Sequence, residues 1–154
     1  MLDSENPDVV VGTESWLNST IASGEVFPSN YNVFCKDGIS QGGGGVFIAV
    51  KNNLIVSVDK DLQTDCELIW ITICVTGLSP IYIRLTSIMP RNLIKSLTKI
   101  PPNASVWLLG DFNLPDVDWE SVAFKPSGQY PAISKHMIDT FNDHNLHQLV
   151  REPT

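Results

Sequence analysis

Two short apolar, β-prone runs in this chain each lead directly into an acidic residue. "VVVGTE" ends at Glu14 and "VWLLGD" ends at Asp111, with Asn113 two residues later. If these strands are neighbours and run in the same sense, both acids lie at one edge of a sheet, where ligand sites gather. Side chains at i and i+2 of an extended segment point the same way, so Asp111 and Asn113 are both expected to face that edge.

Other β-prone runs adjoin in pairs. Residues 45–53 and 54–61 predict a hairpin around Asn52-Asn53, and residues 67–77 and 80–87 predict a second hairpin. The runs around Val9–Val11 and Val106–Leu109 are the most uniformly apolar, which predicts strands covered on both faces, the first of them a central strand.

Helical spacing is limited to two segments, residues 92–100 and residues 133–145. The second is expected to begin near Ser134 and to place four apolar residues on one face: Ile133, Met137, Ile138 and Phe141. Because strands outnumber helices and adjoin in pairs, we expect a layered α/β (α+β) sandwich rather than a doubly wound parallel sheet. The length of 154 residues predicts a single domain over residues 1–154.

Composition restricts the class of protein. Apolar residues make up 43% and charged residues 18%, as in globular domains. No apolar run approaches the ~20 residues of a membrane span, and the first ten residues do not resemble a signal peptide. We therefore expect an intracellular protein, nuclear or cytoplasmic, in which Cys35, Cys66 and Cys74 are reduced and mostly packed.

The net charge of −7 argues against nucleic-acid binding through bulk positive charge. It does not exclude a phosphodiesterase, because a bound cation reverses the local field of carboxylates. Mg²⁺ is commonly bound through one or two carboxylates, waters and a substrate phosphate. Glu14, Asp111 and Asn113 would suit metal-assisted phosphodiester hydrolysis. The alternative for Asp111 is a simple cap of a strand-end turn.

Three motifs carry a resemblance to a known family. "PDVVVGTESWL", "GGGGVFIAV" and "GDFNLPDVDW", in this order over residues 5–153, resemble the endonuclease/exonuclease/phosphatase (DNase-I-like) superfamily. More narrowly, they resemble the apurinic-type endonuclease domain of non-LTR (LINE-like) retrotransposons. The resemblance implies a four-layer sandwich, a Mg²⁺ (or Mn²⁺) cofactor and DNA as the partner.

Residue by residue, the resemblance implies that Glu14 is a metal ligand. Asp111 would lie at the metal and activate or orient the attacking water, and Asn113 would donate to a phosphate oxygen. Trp16 and Trp119 would lie near the cleft, where a packing role is favoured over contact with substrate.

The chain also departs from the family pattern. The first strand with its Asn and the final Ser-Asp-His motif are missing, so we expect a domain truncated at both ends. Ser87 stands where relatives have a Tyr, and the three histidines, His136, His144 and His147, are expected to be solvated or capping.

Three hypotheses follow. The chain is a Mg²⁺-dependent DNA endonuclease domain impaired by truncation, a non-catalytic remnant of a retroelement, or another phosphoesterase of the superfamily. Whether it is an active enzyme stays open.

Overall fold

The structure is a computed structural model that describes residues 5–17, 20–38, 43–62, 67–86, 96–112 and 114–150. It has two compact units, Met1–Phe112 and Asn113–Thr154. The assignment of all 154 residues to one domain stays a prediction. Within the described ranges, no helix is both long and apolar enough to cross a membrane.

The first unit is built from two β-sheets. Its elements, in chain order, are β1 (Val9–Thr13), α1 (Ser23–Val26), β2 (Tyr31–Lys36), β3 (Val46–Lys51), β4 (Ile55–Val58), a 3₁₀ turn (Lys60–Leu62), β5 (Leu68–Cys74), β6 (Ile81–Thr86) and β7 (Ser105–Gly110). The first sheet has the order β1-β3-β2 and the second has the order β4-β5-β6-β7. All pairs in these two sheets are antiparallel except β6–β7, which is parallel.

The core of this unit lies between the two sheets. Its buried side chains alternate along the strands of both sheets, as residues facing one side of a strand must. They are Val46, Ile48, Val50, Ile69, Ile71, Ile73, Ile83 and Leu85. Partly buried Val9, Val11 and Leu109 pack against them. A mixed α/β fold with packed sheets is therefore confirmed, whereas the outer layers of a four-layer sandwich stay a prediction.

The expected hairpin of residues 45–53 and 54–61 is wrong. Strand β3 pairs with β1 and β2, whereas β4 pairs with β5 in the other sheet. The Asn52-Asn53 segment is a turn, closed by Leu54 N–H to the Lys51 carbonyl at 3.0 Å, that carries the chain from one sheet to the other. The second expected hairpin is correct, because β5 and β6 are antiparallel neighbours.

In the part of the chain that the structure describes, the two strands that lead to the acids are edge strands of different sheets, so the expected central position of β1 is wrong. Val9 and Val11 contact the inner core, and Val10 packs against Phe27, Tyr31 and Ala49 on the opposite face. Both faces of β1 are therefore apolar, but its residues remain partly exposed.

Strand β7 is not covered on both faces as expected. Its Trp107 is 51% exposed. Burial on both faces, which the sequence suggested for β1 and β7, is found instead in β5, where every residue from Leu68 to Ile73 is buried.

The second unit contains β8 (Val117–Asp118), β9 (Ala123–Phe124) and α2 (Pro131–Asp143). The predicted second helix is confirmed but begins earlier, at Pro131, whose fixed φ suits a first helical turn. Ser134 lies inside the helix and is buried, so it does not begin it. Met137, Ile138 and Phe141 are buried as expected. Ile133, the fourth residue of the expected apolar face, is 46% exposed.

The other helix prediction is tested only in part. Of residues 92–100, those numbered 92–95 lie outside the described residues, and Ser96 and Leu97 are helical and buried.

The histidines in the second unit follow the expectation. His136 and His147 are exposed, and His144 is the C-terminal cap of α2.

Candidate functional site

Two of the three predicted site residues lie within the described part of the chain. Glu14 directly follows β1 and Asp111 directly follows β7, and both side chains are exposed. Asn113 lies outside the described residues, as does Ser87. The functional roles of Glu14, Asp111 and Asn113 stay predictions.

A continuous series of contacts relates Glu14 to the second sheet. Gly44 N–H donates to Glu14 Oε2 at 3.0 Å, and the next amide, Gly45 N–H, donates to Glu67 Oε2 at 3.0 Å. Glu67 immediately precedes β5, whose first residue, Leu68, pairs with Thr86 at the end of β6. The end of β1 and the end of β6 are therefore at the same edge of the two sheets.

The parallel pairing of β6 and β7 extends this edge to Asp111. Thr86 is in register with Gly110, the last residue of β7, and Asp111 follows it. Glu14 and Asp111 thus lie at one edge of the first unit, although their strands belong to different sheets. The sequence-based expectation depended on β1 and β7 being neighbours in one sheet, and they are not. The common edge follows instead from the Gly44 and Gly45 contacts and from the β6–β7 register.

A glycine turn fixes the backbone around Glu14. Gly44 and Gly45 have φ angles of +90° and +84°, a region that favours glycine. Their carbonyls accept hydrogen bonds from Trp16 N–H at 3.0 Å and Ser15 N–H at 3.2 Å. Glu14 itself has φ of +50° and Trp16 has φ of +55°, which are uncommon values for residues with side chains. The segment before β3 is therefore a hydrogen-bonded partner of the Glu14 segment.

Glu67 lies at the same edge as Glu14, and the sequence did not predict it. It is 4% exposed, although glutamate is rarely buried unless it is paired or hydrogen-bonded. The available signal was an acid immediately before the apolar run "LIWITIC". This signal differs from that of Glu14 and Asp111, because those acids follow apolar runs and Glu67 precedes one.

The two tryptophans expected near the cleft differ. Trp16 is 64% exposed, so it is not packed in the interior. Its indole nevertheless lies over Gly43, because a Cβ built there would be 3.2 Å from Trp16 Cζ2. Trp119, in the second unit, is partly buried, with its ring centroid 6.2 Å from that of Phe141, which agrees with packing.

The metal-binding capacity of the described residues is limited to few carboxylates. They contain no group of three or more His, Cys, Asp or Glu side chains able to hold a metal ion. A protein cage of the zinc or calcium type is thus not seen among them. Mg²⁺ requires less, since one or two carboxylates with waters and phosphate oxygens suffice. The exposed carboxylate of Glu14, held through one oxygen, fits that donor requirement.

The described cysteines correct another expectation. Cys35 and Cys74 are free thiols, as predicted, but both are exposed rather than packed. The pKa of the Cys35 thiol is raised, mainly by partial removal of the thiol from water and secondly by the nearby negative charge of Asp37. Cys66 lies outside the described residues.

Comparison with known proteins finds similarity to solved structures. The chain matches no protein-family model, and it matches no curated protein. Among solved structures it is similar to the endonuclease domain of TRAS1, a telomere-specific non-LTR retrotransposon, with a TM-score of 0.67 and 16% sequence identity. The alignment covers 99% of this chain but 66% of the other, so this chain spans slightly less than two thirds of that domain. The resemblance inferred from the sequence is confirmed at the level of the fold: the chain folds like a retrotransposon endonuclease domain.

Proposed function

We propose that this chain is a phosphodiesterase domain of the retrotransposon endonuclease type, acting on DNA with a divalent cation, Mg²⁺ or Mn²⁺. The observation that carries the proposal is the common edge shared by Glu14 and Asp111. Two exposed acids, each just beyond the end of a strand, lie at this edge. The fold similarity adds support, because that solved domain is an endonuclease. Its coverage of 99% of this chain also supports treating residues 1–154 as one partial domain.

Glu14 would hold the cation. Its Oε2 accepts the Gly44 amide, which orients the carboxylate while the side chain remains exposed. Such a cation, when bound, would neutralise charge that develops on the phosphate. Hydrogen bonds from outer groups generally fix the orientation of a metal ligand, and the Gly44 amide is suited to that role.

Asp111 would act on the attacking water and lie near the cation. A carboxylate at hydrogen-bonding distance can orient the water and accept its proton. Asn113, two residues later, would donate its side-chain amide to a phosphate oxygen. The chain has 10 Lys and Arg against 17 Asp and Glu. Because cationic side chains supply the phosphate contacts that make DNA binding tight and salt-dependent, we expect weak binding with a modest dependence on salt.

The proposal is tested by nicking of supercoiled plasmid in Mg²⁺, comparing the wild-type chain with Asp111→Asn. Loss of a general base commonly lowers the rate by about 10²–10⁴-fold, and EDTA should abolish the reaction. Asn113→Ala should lower the rate by about 10²–10³-fold through loss of a hydrogen-bond donor.

Asp8→Asn is the matched control. Asp8 is an exposed acid that immediately precedes β1, at the opposite end of this strand from Glu14. Its ion pair with Lys51, at 3.0 Å, is exposed on the Asp8 side and contributes little. Nicking by Asp8→Asn should equal that of the wild type. Equal nicking by Asp111→Asn, or nicking that survives EDTA, would refute the assignment. Absence of nicking from a folded wild-type chain would favour the non-catalytic remnant.

A further inference from the structure

We propose that Glu67 is a positioning residue for Glu14, acting through the backbone of Gly44 and Gly45. The inference rests on the proposed role of Glu14, but its structural part is independent of any cation. Glu67 does not contact the edge carboxylate directly in this scheme. Its effect passes through two consecutive amides that point to two different acids.

The first step is the anchoring of the turn by Glu67. This carboxylate is 4% exposed and accepts Gly45 N–H at 3.0 Å. A hydrogen bond inside a protein is electrostatically stronger than one in water, and burial restricts the movement of the acceptor. Gly45 is also buried, and a Cβ there would lie 2.6 Å from Ser15 Oγ. The turn is therefore fixed to the start of β5 and closely packed on the Glu14 segment.

The second step is the transfer of this position to Glu14. Gly44 N–H donates to Glu14 Oε2, and the Gly44 carbonyl accepts Trp16 N–H at 3.0 Å. Gly44 thus binds both the side chain of Glu14 and the backbone two residues beyond it. A displacement of the turn relative to Glu67 would displace the donor that orients the exposed carboxylate.

The contact between Gly44 and Glu67 leaves no space for a side chain. A Cβ on Gly44 would lie 2.8 Å from Glu67 Oε1 and 2.9 Å from Oε2. Gly77 provides a matched control, because its φ of +82° is close to the +90° of Gly44, yet nothing lies within 4 Å of its Cβ position. Alanine at either position would have a similar positive φ, and only Gly44→Ala would place a Cβ against Glu67.

The test uses the full chain in two measurements. Without metal, NMR follows the amide proton of Gly44 in the wild type, Glu67→Ala, Glu67→Gln and Glu14→Ala. Electron paramagnetic resonance then gives the Mn²⁺ dissociation constant for the same variants and for the glycine pair. Glu67→Gln keeps a carbonyl oxygen that can accept Gly45 N–H, so it serves as the conservative rescue.

We expect Glu67→Ala to move the Gly44 amide resonance toward its position in Glu14→Ala and to weaken Mn²⁺ binding by about 10–100-fold, as outer-shell changes do. Glu67→Gln should resemble the wild type in both measurements. Gly44→Ala should weaken Mn²⁺ binding, whereas Gly77→Ala should not. If Glu67→Ala fails to fold, the glycine pair decides by the Mn²⁺ constant and by the Gly45 amide resonance.

Failure of this inference differs from failure of the proposed function. A folded Glu67→Ala with an unchanged Gly44 resonance would overturn the positioning role, whatever the cation does. So would equal effects of Gly44→Ala and Gly77→Ala. A wild-type chain that binds no Mn²⁺ would instead refute the metal role of Glu14, and the amide resonances would still decide whether Glu67 positions it.

Discussion

Alanine substitution of one isoleucine in β3 and, in a separate variant, of one isoleucine in β4 tests how the two sheets of the first unit are arranged. Ile48 is fully buried between the sheets, whereas Ile55 on the edge strand β4 is 70% exposed. Ile48→Ala removes three buried carbon groups, which at ~0.8 kcal/mol each gives about 2.4 kcal/mol of lost transfer free energy. The cavity left behind should bring the loss in unfolding free energy to about 3–4 kcal/mol. Ile55→Ala should cost less than about 1 kcal/mol, because most of its surface is already in water.

Urea unfolding followed by far-UV circular dichroism measures both free energies. For a chain of this size, about 3–4 kcal/mol corresponds to a lowering of the melting temperature by roughly 6–16 °C. Ile48→Val, expected to cost about 0.5–1.5 kcal/mol, covers the case in which Ile48→Ala does not fold. A simple β3–β4 hairpin, with each strand half-buried, predicts similar costs at the two positions. Equal costs for Ile48→Ala and Ile55→Ala would therefore refute the arrangement of β3 at the centre of one sheet and β4 at the edge of another.

Two further predictions concern exposed side chains. Trp16→Ala should weaken binding of single-stranded DNA by about 1–3 kcal/mol in a fluorescence anisotropy titration, because an exposed indole next to Glu14 can stack on a base. Trp107→Ala, which removes an indole that is 51% exposed, is the control and should have no effect. The raised pKa of Cys35 means that its thiolate forms only at higher pH than usual, so iodoacetamide should alkylate it slowly at neutral pH and faster as pH increases. Asp37→Asn should lower the pKa of Cys35 and speed its alkylation, which is measured by mass spectrometry of the Cys35 peptide at several pH values. Equal alkylation rates for Asp37→Asn and the wild type would contradict the reasoning.

Local patterns were sufficient where the structure depends on neighbouring residues. The β5–β6 hairpin combines two strands and a short Gly-containing connection, so chain proximity makes antiparallel pairing the simplest solution. Helix α2 was visible because its apolar residues recur at helical spacing, and three of the four named residues are indeed buried. Ile133 lies in the first turn of the helix, and its side chain is 46% exposed.

Sheet membership could not be obtained in this way. Asn52-Asn53 between two β-prone runs is a strong local hairpin signal, and the chain does turn there. The pairing is decided elsewhere, because β3 has β1 and β2 on its two sides and has no free edge for β4. The turn at Asn52-Asn53 therefore connects strands of two different sheets. The partners of β3 are distant in sequence, and no periodicity within residues 45–61 records them.

The sequence predicted the acids of the candidate site that follow strands, but it did not predict Glu67. Glu14 and Asp111 stand out because an apolar run ends in each. Glu67 stands before a run, and its contact with Gly45 joins residues 22 positions apart. Only the folded arrangement brings its carboxylate to the turn that holds Glu14. The glycine-rich stretch showed that a special backbone was needed, but the sequence did not show which side chains it would serve.

The position of Asp111 at the edge depends on the direction of β7 more than on the residues around it. Parallel pairing of β6 and β7 brings Gly110 beside Thr86, and thus beside the edge that contains Glu67 and Glu14. An antiparallel pairing would place the end of β7 at the opposite edge, far from Glu14. Parallel neighbours require a crossover of a dozen or more residues, usually with a helix. Residues 87–104 provide that length, and the helical spacing of residues 92–100 within them was therefore a sequence signal for the parallel pair, and so for the common edge of the two acids.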